Sequence, residues 1–114
     1  MPLPRNPMVP ALLLGLGVWT ATADDGVVRI TAPEDGAHIA AGEPIELHYE
    51  IDRGRQGDHV HVYVDGREIA TLHRPQGEYL IKKVAAGERE ICIKVVNRAH
   101  TPIGLEDCVR VAAE

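Results

Sequence analysis

The stretch that decides the fold is His59-Val60-His61-Val62-Tyr63-Val64-Asp65-Gly66, and Arg67-Glu68-Ile69-Ala70-Thr71-Leu72 follows it directly. Because successive side chains of a strand point to opposite faces, strict alternation separates the three valines from His59, His61 and Tyr63. Asp65-Gly66 tolerates the positive φ angles of a tight primed turn. The sequence therefore predicts a β-hairpin whose first strand exposes two histidines on its solvent face.

Short alternating segments recur along the rest of the chain, with turn residues between them and no sustained helical period. The predicted strands are 27–30, 45–51, 59–64, 67–72, 78–84, 89–96 and 105–111. This pattern predicts an all-β, immunoglobulin-like sandwich of about seven strands. Because residues 24–114 are too few for two ordinary domains, we expect them to form a single domain.

The N-terminal segment has the features of a secretory signal peptide. Arg5 supplies a positive charge, residues 9–18 are apolar, and Ala21-Thr22-Ala23 has the small-x-small pattern of a cleavage site. The apolar run is shorter than the roughly 18–20 residues that a membrane-spanning helix needs, which favours a cleaved signal over an anchor. We expect removal of residues 1–23 and a periplasmic or secreted mature protein without stable membrane insertion.

Composition and charge exclude several classes of function. The formal net charge of −5 becomes more negative when Arg5 is removed, which disfavours nucleic acid and anionic membranes as partners. Trp19 lies in the predicted signal peptide and the chain has no phenylalanine, so few aromatic platforms remain for base stacking. The chain has no serine, and its glycines stand singly rather than in a phosphate-binding loop. We therefore expect a binding protein and not an enzyme.

The strand pattern resembles bacterial immunoglobulin-like and fibronectin type III-like domains. It includes an early P-x-x-G turn at residues 33–36 and a G-x-P-I-x-L-x-Y entry to the second strand at residues 42–49. The runs G-D-H-V-H-V-Y-V-D-G (57–66) and H-T-P-I-G (100–104) are also similar to a group of small exported bacterial proteins with no established activity. The first resemblance implies a sandwich fold and the second implies export.

Cys92 and Cys108 are predicted to form a disulfide bond. If 89–96 and 105–111 form an antiparallel hairpin, residues whose numbers sum to 200 lie opposite each other, which pairs the two cysteines on its outer face. An oxidising compartment permits the bond. Two neighbouring thiols could instead bind a metal or cycle between redox states, but the absence of C-x-x-C spacing favours the structural disulfide.

His59, His61 and His100 are the candidate metal ligands. His100 lies at the tip of the same hairpin, and in an immunoglobulin-like sandwich the sixth strand runs antiparallel beside the third. This arrangement brings all three imidazoles to one end of a sheet. His59 and His61, two residues apart on one strand face, are spaced so that both can reach one ion.

The other residues narrow the identity of such a metal. Met1 and Met8 lie in the predicted signal peptide and the cysteines are expected to be paired, so no soft sulfur ligand remains. Imidazole with carboxylate or water suits Cu(II) or Zn(II). Asp58 is interpreted either as a partner that orients an imidazole or as a solvated loop charge. The remaining histidines are interpreted as ordinary surface residues, namely His38, His48 and His73.

Two alternatives to metal binding stay open at this point. In the first, the protein is a metal-independent interaction or structural module that docks a periplasmic protein through the His/Tyr face or an edge strand. In the second, several histidines on an acidic protein form a surface whose charge changes between about pH 5 and 8.

Overall fold

A computed structural model describes residues 26–74 and 77–114 of the chain. These ranges form eight strands, which in chain order are β1 (Val27–Ala32), β2 (Ala37–Ile39), β3 (Ile45–Asp52), β4 (His59–Val64), β5 (Arg67–Leu72), β6 (Gly77–Ile81), β7 (Gly87–Val96) and β8 (Pro102–Ala113). The predicted signal peptide, residues 1–23, lies outside the described residues. Within the two described ranges, no helix is long and apolar enough to cross a membrane.

The strands form two sheets, which confirms the predicted all-β sandwich. One sheet has the order β1-β3-β6 and the other has the order β2-β8-β7-β4-β5. Neighbouring strands are antiparallel except β2 and β8, which are parallel. The short strand β2 was not predicted, because three residues between two turns are too few to show an alternating pattern.

The hairpin that decides the fold forms as predicted. Asp65 and Gly66 have φ angles of 52° and 83°, and Val64 pairs with Arg67 across them. Positive φ at both central residues defines a type I′ turn, whose twist matches that of the flanking strands. The turn therefore places β5 at the edge of the larger sheet, next to β4.

The core lies between the facing sides of the two sheets. Alternate residues of β3, β4 and β7 fill it, and the completely inaccessible side chains among them are Leu47, Val62, Ile91, Ile93 and Val95. The valines of β4 thus point inward, as alternation predicts, and the histidines of β4 take the other face.

The cysteine pairing also follows the predicted register. Cys92 of β7 lies directly opposite Cys108 of β8, and the two sulfur atoms lie at the disulfide distance of 2.05 Å. Nearby pairs such as Ile91 with Val109 have the same sum of residue numbers. The register shifts near the tip, where Val96 pairs with Pro102, so the connecting loop is residues 97–101.

Candidate metal centre

Three imidazole nitrogens converge at the end of the larger sheet. The Nε2 atom of His59 lies 3.2 Å from Nε2 of His61 and 3.2 Å from Nδ1 of His100. Nε2 of His61 lies 3.0 Å from the same Nδ1 atom of His100. The structure therefore brings together all three histidines that the sequence analysis selected, and their ligand atoms form a nearly equilateral triangle.

The prediction that His59 and His61 lie on an exposed face is wrong. Their relative accessibilities are 2% and 3%, so both side chains are buried although they project away from the core. The ring of His100 meets His59 edge to face, with centroids 4.5 Å apart, and the ring of His73 stacks on His59 at 4.6 Å. Alternation identifies the face of a strand, but it does not show which neighbouring side chains cover that face.

The β7–β8 loop holds His100 over the two buried histidines. The backbone N–H of His100 donates to the carbonyl of Asn97 at 2.9 Å. The Asn97 side-chain oxygen accepts from the N–H groups of Ala99 and Thr101. His100 has a φ of 65°, a left-handed conformation that is unfavourable for a residue with a Cβ. The loop thus fixes a strained histidine where glycine or asparagine would fit more easily, and such strain often marks a functional position.

A carboxylate contacts the outer nitrogen of His59. Asp58 Oδ2 lies 2.8 Å from His59 Nδ1, on the side of the ring away from the triangle. The hydrogen bond to His59 is the main reason that the pKa of Asp58 is below its ordinary value; burial opposes this shift, and the nearby charge of Arg98 adds to it. Asp58 is therefore ionised at neutral pH, and the first of its two predicted roles fits this contact.

A second carboxylate approaches the outer nitrogen of His61. Glu68 Oε1 lies 3.4 Å from His61 Nδ1, and the Tyr63 hydroxyl lies 3.5 Å from the same atom. Burial lowers the pKa of His61, and the neighbouring histidines reinforce this shift, whereas Glu68 opposes it. The His61 ring is therefore neutral at neutral pH and retains a lone pair for a ligand.

The other histidines divide into two groups. His73, interpreted from the sequence as an ordinary surface residue, stacks on His59 and lies near Asp58, with ligand atoms of the three residues within 4.8 Å of one another. The position of His73 after the end of β5, beside the start of β4, is the sequence feature that could have placed it next to His59. His38 and His48 instead contact carboxylates elsewhere, at 2.8 Å from Glu114 and 3.1 Å from Glu46.

The triangle has dimensions suited to a metal ion. With metal–nitrogen bonds of about 2.0–2.1 Å, nitrogen separations of this size correspond to N–metal–N angles of about 90–105°. These angles lie between those of square or octahedral and tetrahedral coordination. The three imidazoles can therefore occupy one face of a coordination sphere and leave its remaining positions to water or another ligand.

The cysteines stand apart from this arrangement. Glu90, Cys92 and Cys108 also have potential ligand atoms within 4.8 Å of one another. The two sulfurs lie at the disulfide distance, however, and a disulfide sulfur is not a thiolate ligand. The imidazoles are thus the better candidates for a metal site.

The fold defines a class of protein: a small fibronectin type III-like, immunoglobulin-like β-sandwich. The chain is similar to solved fibronectin(III)-like modules of Clostridium thermocellum CbhA, with a TM-score of 0.66 and 20% identity over 77% of this chain and 97% of that one. It is also similar to an engineered protein from the Northeast Structural Genomics Consortium, with a TM-score of 0.54 and 23% identity over 78% of this chain and 20% of that one. At these identities, the likeness shows the fold.

No protein-family model and no curated protein matches the sequence. The similarity of residues 57–66 to a group of small exported proteins therefore stays a prediction. A sandwich of this class is compatible with a binding or a structural role, and a more specific function has to be argued from the histidine site.

Proposed function

We propose that the protein is a small exported binding protein that holds one Cu(II) or Zn(II) ion with His59, His61 and His100. The observation that carries this proposal is the triangle of imidazole nitrogens, with sides of 3.0–3.2 Å and two buried members. Buried polar groups carry a desolvation cost unless they are paired. Three converging nitrogens cannot all satisfy one another with the protons of neutral imidazoles, whereas one cation satisfies all three.

The charges around the triangle support a divalent cation. Asp58 and Glu68 place two carboxylates behind the ligand rings, at 2.8 Å from His59 and 3.4 Å from His61. The ammonium group of Lys94 lies 4.8 Å from the centre of the Tyr63 ring and pairs with Glu106. These two contacts keep the positive charge of Lys94 outside the triangle. Carboxylates commonly accept a hydrogen bond from the outer nitrogen of an imidazole that binds zinc or copper, and they make the imidazole a better electron donor to the metal.

A three-histidine site with open positions suits reversible holding of a metal. Residues of the β7–β8 loop, including His100, are exposed, so the ion would be accessible from the tip of the sheet. The described site offers imidazole and carboxylate groups and no free thiolate, a ligand set that favours Cu(II) or Zn(II) over Cu(I). We assign storage or delivery of such an ion in the periplasm or medium as the role, without any enzymatic step.

Calorimetric titration of Zn(II) and Cu(II) into protein 24–114 tests the proposal. We expect one-to-one, submicromolar binding by the wild type and no such binding by the His59→Ala/His61→Ala double variant. The matched control is His38→Ala/His48→Ala, which removes two histidines outside the triangle and should bind as the wild type does. Since two buried side chains are removed, His100→Gly serves as the second test, because His100 is exposed and its backbone conformation suits glycine.

Two results would contradict metal binding. One is the absence of any binding to the wild type at micromolar protein and metal, and the other is unchanged one-to-one binding in both the double variant and His100→Gly. Either would leave the metal-independent interaction or structural module as the working hypothesis, and Tyr63→Ala would then test the His/Tyr face for docking of a partner protein.

A further inference from the structure

The edge strand β5 contains a bulge that changes which of its residues face the histidines. The register runs from Tyr63 opposite Glu68 to Val62 opposite Ala70, so Ile69 is an extra residue with no partner on β4. In a regular strand, residues three apart point to opposite faces. The bulge instead places Glu68 and Thr71 on the same outer face, as β-bulges near functional sites commonly do when they redirect a side chain.

Thr71 contacts this redirected carboxylate and orients it. The Thr71 hydroxyl donates to Glu68 Oε2 at 3.1 Å, which leaves Oε1 at 3.4 Å from His61 Nδ1. The Tyr63 hydroxyl, the other neighbour of this nitrogen, can also accept a hydrogen bond. A hydroxyl can also donate and so imposes no tautomer, whereas the Glu68 carboxylate only accepts and favours a proton on Nδ1 of His61.

The backbone of Asp58 is held in place behind His59. Its backbone N–H donates to the carbonyl of Val96 at 2.8 Å, and its own carbonyl accepts from the guanidinium of Arg53. Oδ2 of the side chain lies 2.8 Å from His59 Nδ1, and the other oxygen, Oδ1, lies 3.9 Å from Nε of Arg98. Because a carboxylate is an acceptor, the Nδ1 atom of His59 must carry the proton of a neutral ring.

We propose that Asp58 and Glu68 are positioning residues that hold His59 and His61 as their Nδ1–H tautomers, so that both Nε2 lone pairs point into the triangle. A neutral imidazole has one N–H and one lone pair, so a proton held on the outer nitrogen frees the inner one. In the metal-free protein, Nε2 of His59 and Nε2 of His61 then already have free lone pairs that can bind a cation. The use of these lone pairs for a metal rests on the proposed function, whereas the tautomers themselves do not.

Nitrogen-15 NMR of histidine-labelled, metal-free protein at neutral pH tests the tautomers directly. We expect His59 and His61 of the wild type to show a protonated Nδ1 and an unprotonated Nε2. Asp58→Ala should convert His59 to a mixture of tautomers, and Glu68→Ala should do the same to His61. Asp58→Asn and Glu68→Gln retain an oxygen acceptor and should restore the wild-type signals.

The matched controls are Glu78→Ala, which removes a carboxylate 3.9 Å from His48, and Tyr63→Phe, which removes the other neighbour of His61. Neither should change the tautomers of His59 or His61. Circular dichroism of each variant checks that the sandwich is intact, which we expect because Asp58 and Glu68 are both partly exposed.

Zn(II) affinity provides the second readout. Each alanine variant should bind Zn(II) about 10–100-fold more weakly than the wild type, as is usual when a carboxylate behind a ligating histidine is lost. Wild-type rings protonated on Nε2, or tautomers that do not respond to Asp58→Ala and Glu68→Ala, would overturn the inference whether or not metal binds. The expected tautomers without Zn(II) or Cu(II) binding would support the positioning role and reject the proposed function.

Discussion

Nε2 of His61 and Nδ1 of His100 lie 3.0 Å apart although 39 residues separate them in the chain. His61 is buried in the middle of β4, whereas His100 is exposed on the loop that joins β7 to β8. The contact exists because β4 runs antiparallel to β7, so that the start of one strand lies beside the end of the other. A buried residue of the sheet and an exposed residue of a loop thus form one site.

Replacing His100 with glycine should separate stability from metal binding. The change removes about 1 kcal/mol of left-handed backbone strain from the folded state. Glycine also raises the conformational entropy of the unfolded chain, which lowers the free energy of unfolding by a similar amount. We therefore expect the metal-free free energy of unfolding to stay within about 1 kcal/mol of the wild type, measured in urea. In the wild type, Zn(II) at 100 times its Kd should stabilise the fold by about 2.7 kcal/mol, and this gain should vanish in the variant. An equal gain in both proteins would show that His100 is not a ligand.

Loss of the cysteine pair should affect the fold and not the metal site. A cross-link between residues 16 apart contributes about 3 kcal/mol by chain entropy. The Cys92→Ala/Cys108→Ala variant should thus lose about 2–4 kcal/mol of stability in denaturant unfolding, and the reduced wild type should behave similarly. Its Zn(II) affinity should remain that of the wild type at a temperature where it is folded. A lost affinity in the folded variant would restore the alternative in which thiols bind the metal.

The turn residue Asp65 should make stability depend on acid pH. Its carboxylate accepts from the Arg89 side chain at 2.8 Å and from the Glu90 N–H at 2.9 Å, and these bonds lower its pKa below the ordinary 3.8. A lowered folded-state pKa gives stability that is present above pH 3.8 and is lost as the pH falls through the folded-state value.

The variant Asp65→Asn tests this dependence because asparagine also tolerates the left-handed turn conformation. Since 41% of the Asp65 side chain is exposed, solvent screening limits the loss to about 1 kcal/mol or less at pH 7. The difference between wild type and variant, measured by urea unfolding, should shrink as the pH falls below 3.8. Glu43→Gln, an exposed carboxylate away from this turn, is the control, and a difference independent of pH would contradict the assignment.

Export and cleavage should leave Asp24 as the first residue. We expect intact-mass measurement of the protein recovered from the periplasm or medium to match residues 24–114, because Ala21 and Ala23 satisfy the signal peptidase. Ala23→Arg should block this cleavage and retain the uncut chain with the cell. A wild-type mass that includes residues 1–23 would indicate an anchor instead of a signal.

Much of the fold could be predicted from local pattern. Alternation identified the inward valines of β4, and Asp65-Gly66 identified the turn, because both depend on near neighbours in the chain. The pairing of Cys92 with Cys108 could be predicted because both lie eight residues from position 100, at the tip of the β7–β8 hairpin. By contrast, β2 was missed because its three residues are too few to show alternation, and its partner β8 lies more than 70 positions further along the chain.

The candidate site was predicted less completely. The expected order of strands does bring His59, His61 and His100 together, whereas their role as metal ligands stays a prediction. The burial of His59, the stacking of His73 on it and the approach of Glu68 were not foreseen. These three features depend on the side chains that pack over the outer face of β4 and on the bulge at Ile69. An alternating sequence pattern predicts neither the packing nor the bulge.

The sequence by itself thus determined the class of fold, the hairpin, the cysteine pair and the identity of the three converging histidines. Only the tertiary structure decided that two of these histidines are buried and that carboxylates lie behind them. The physical reason is that side-chain direction along a strand is a local property of the backbone, whereas burial and second contacts come from segments that meet only after the chain has folded.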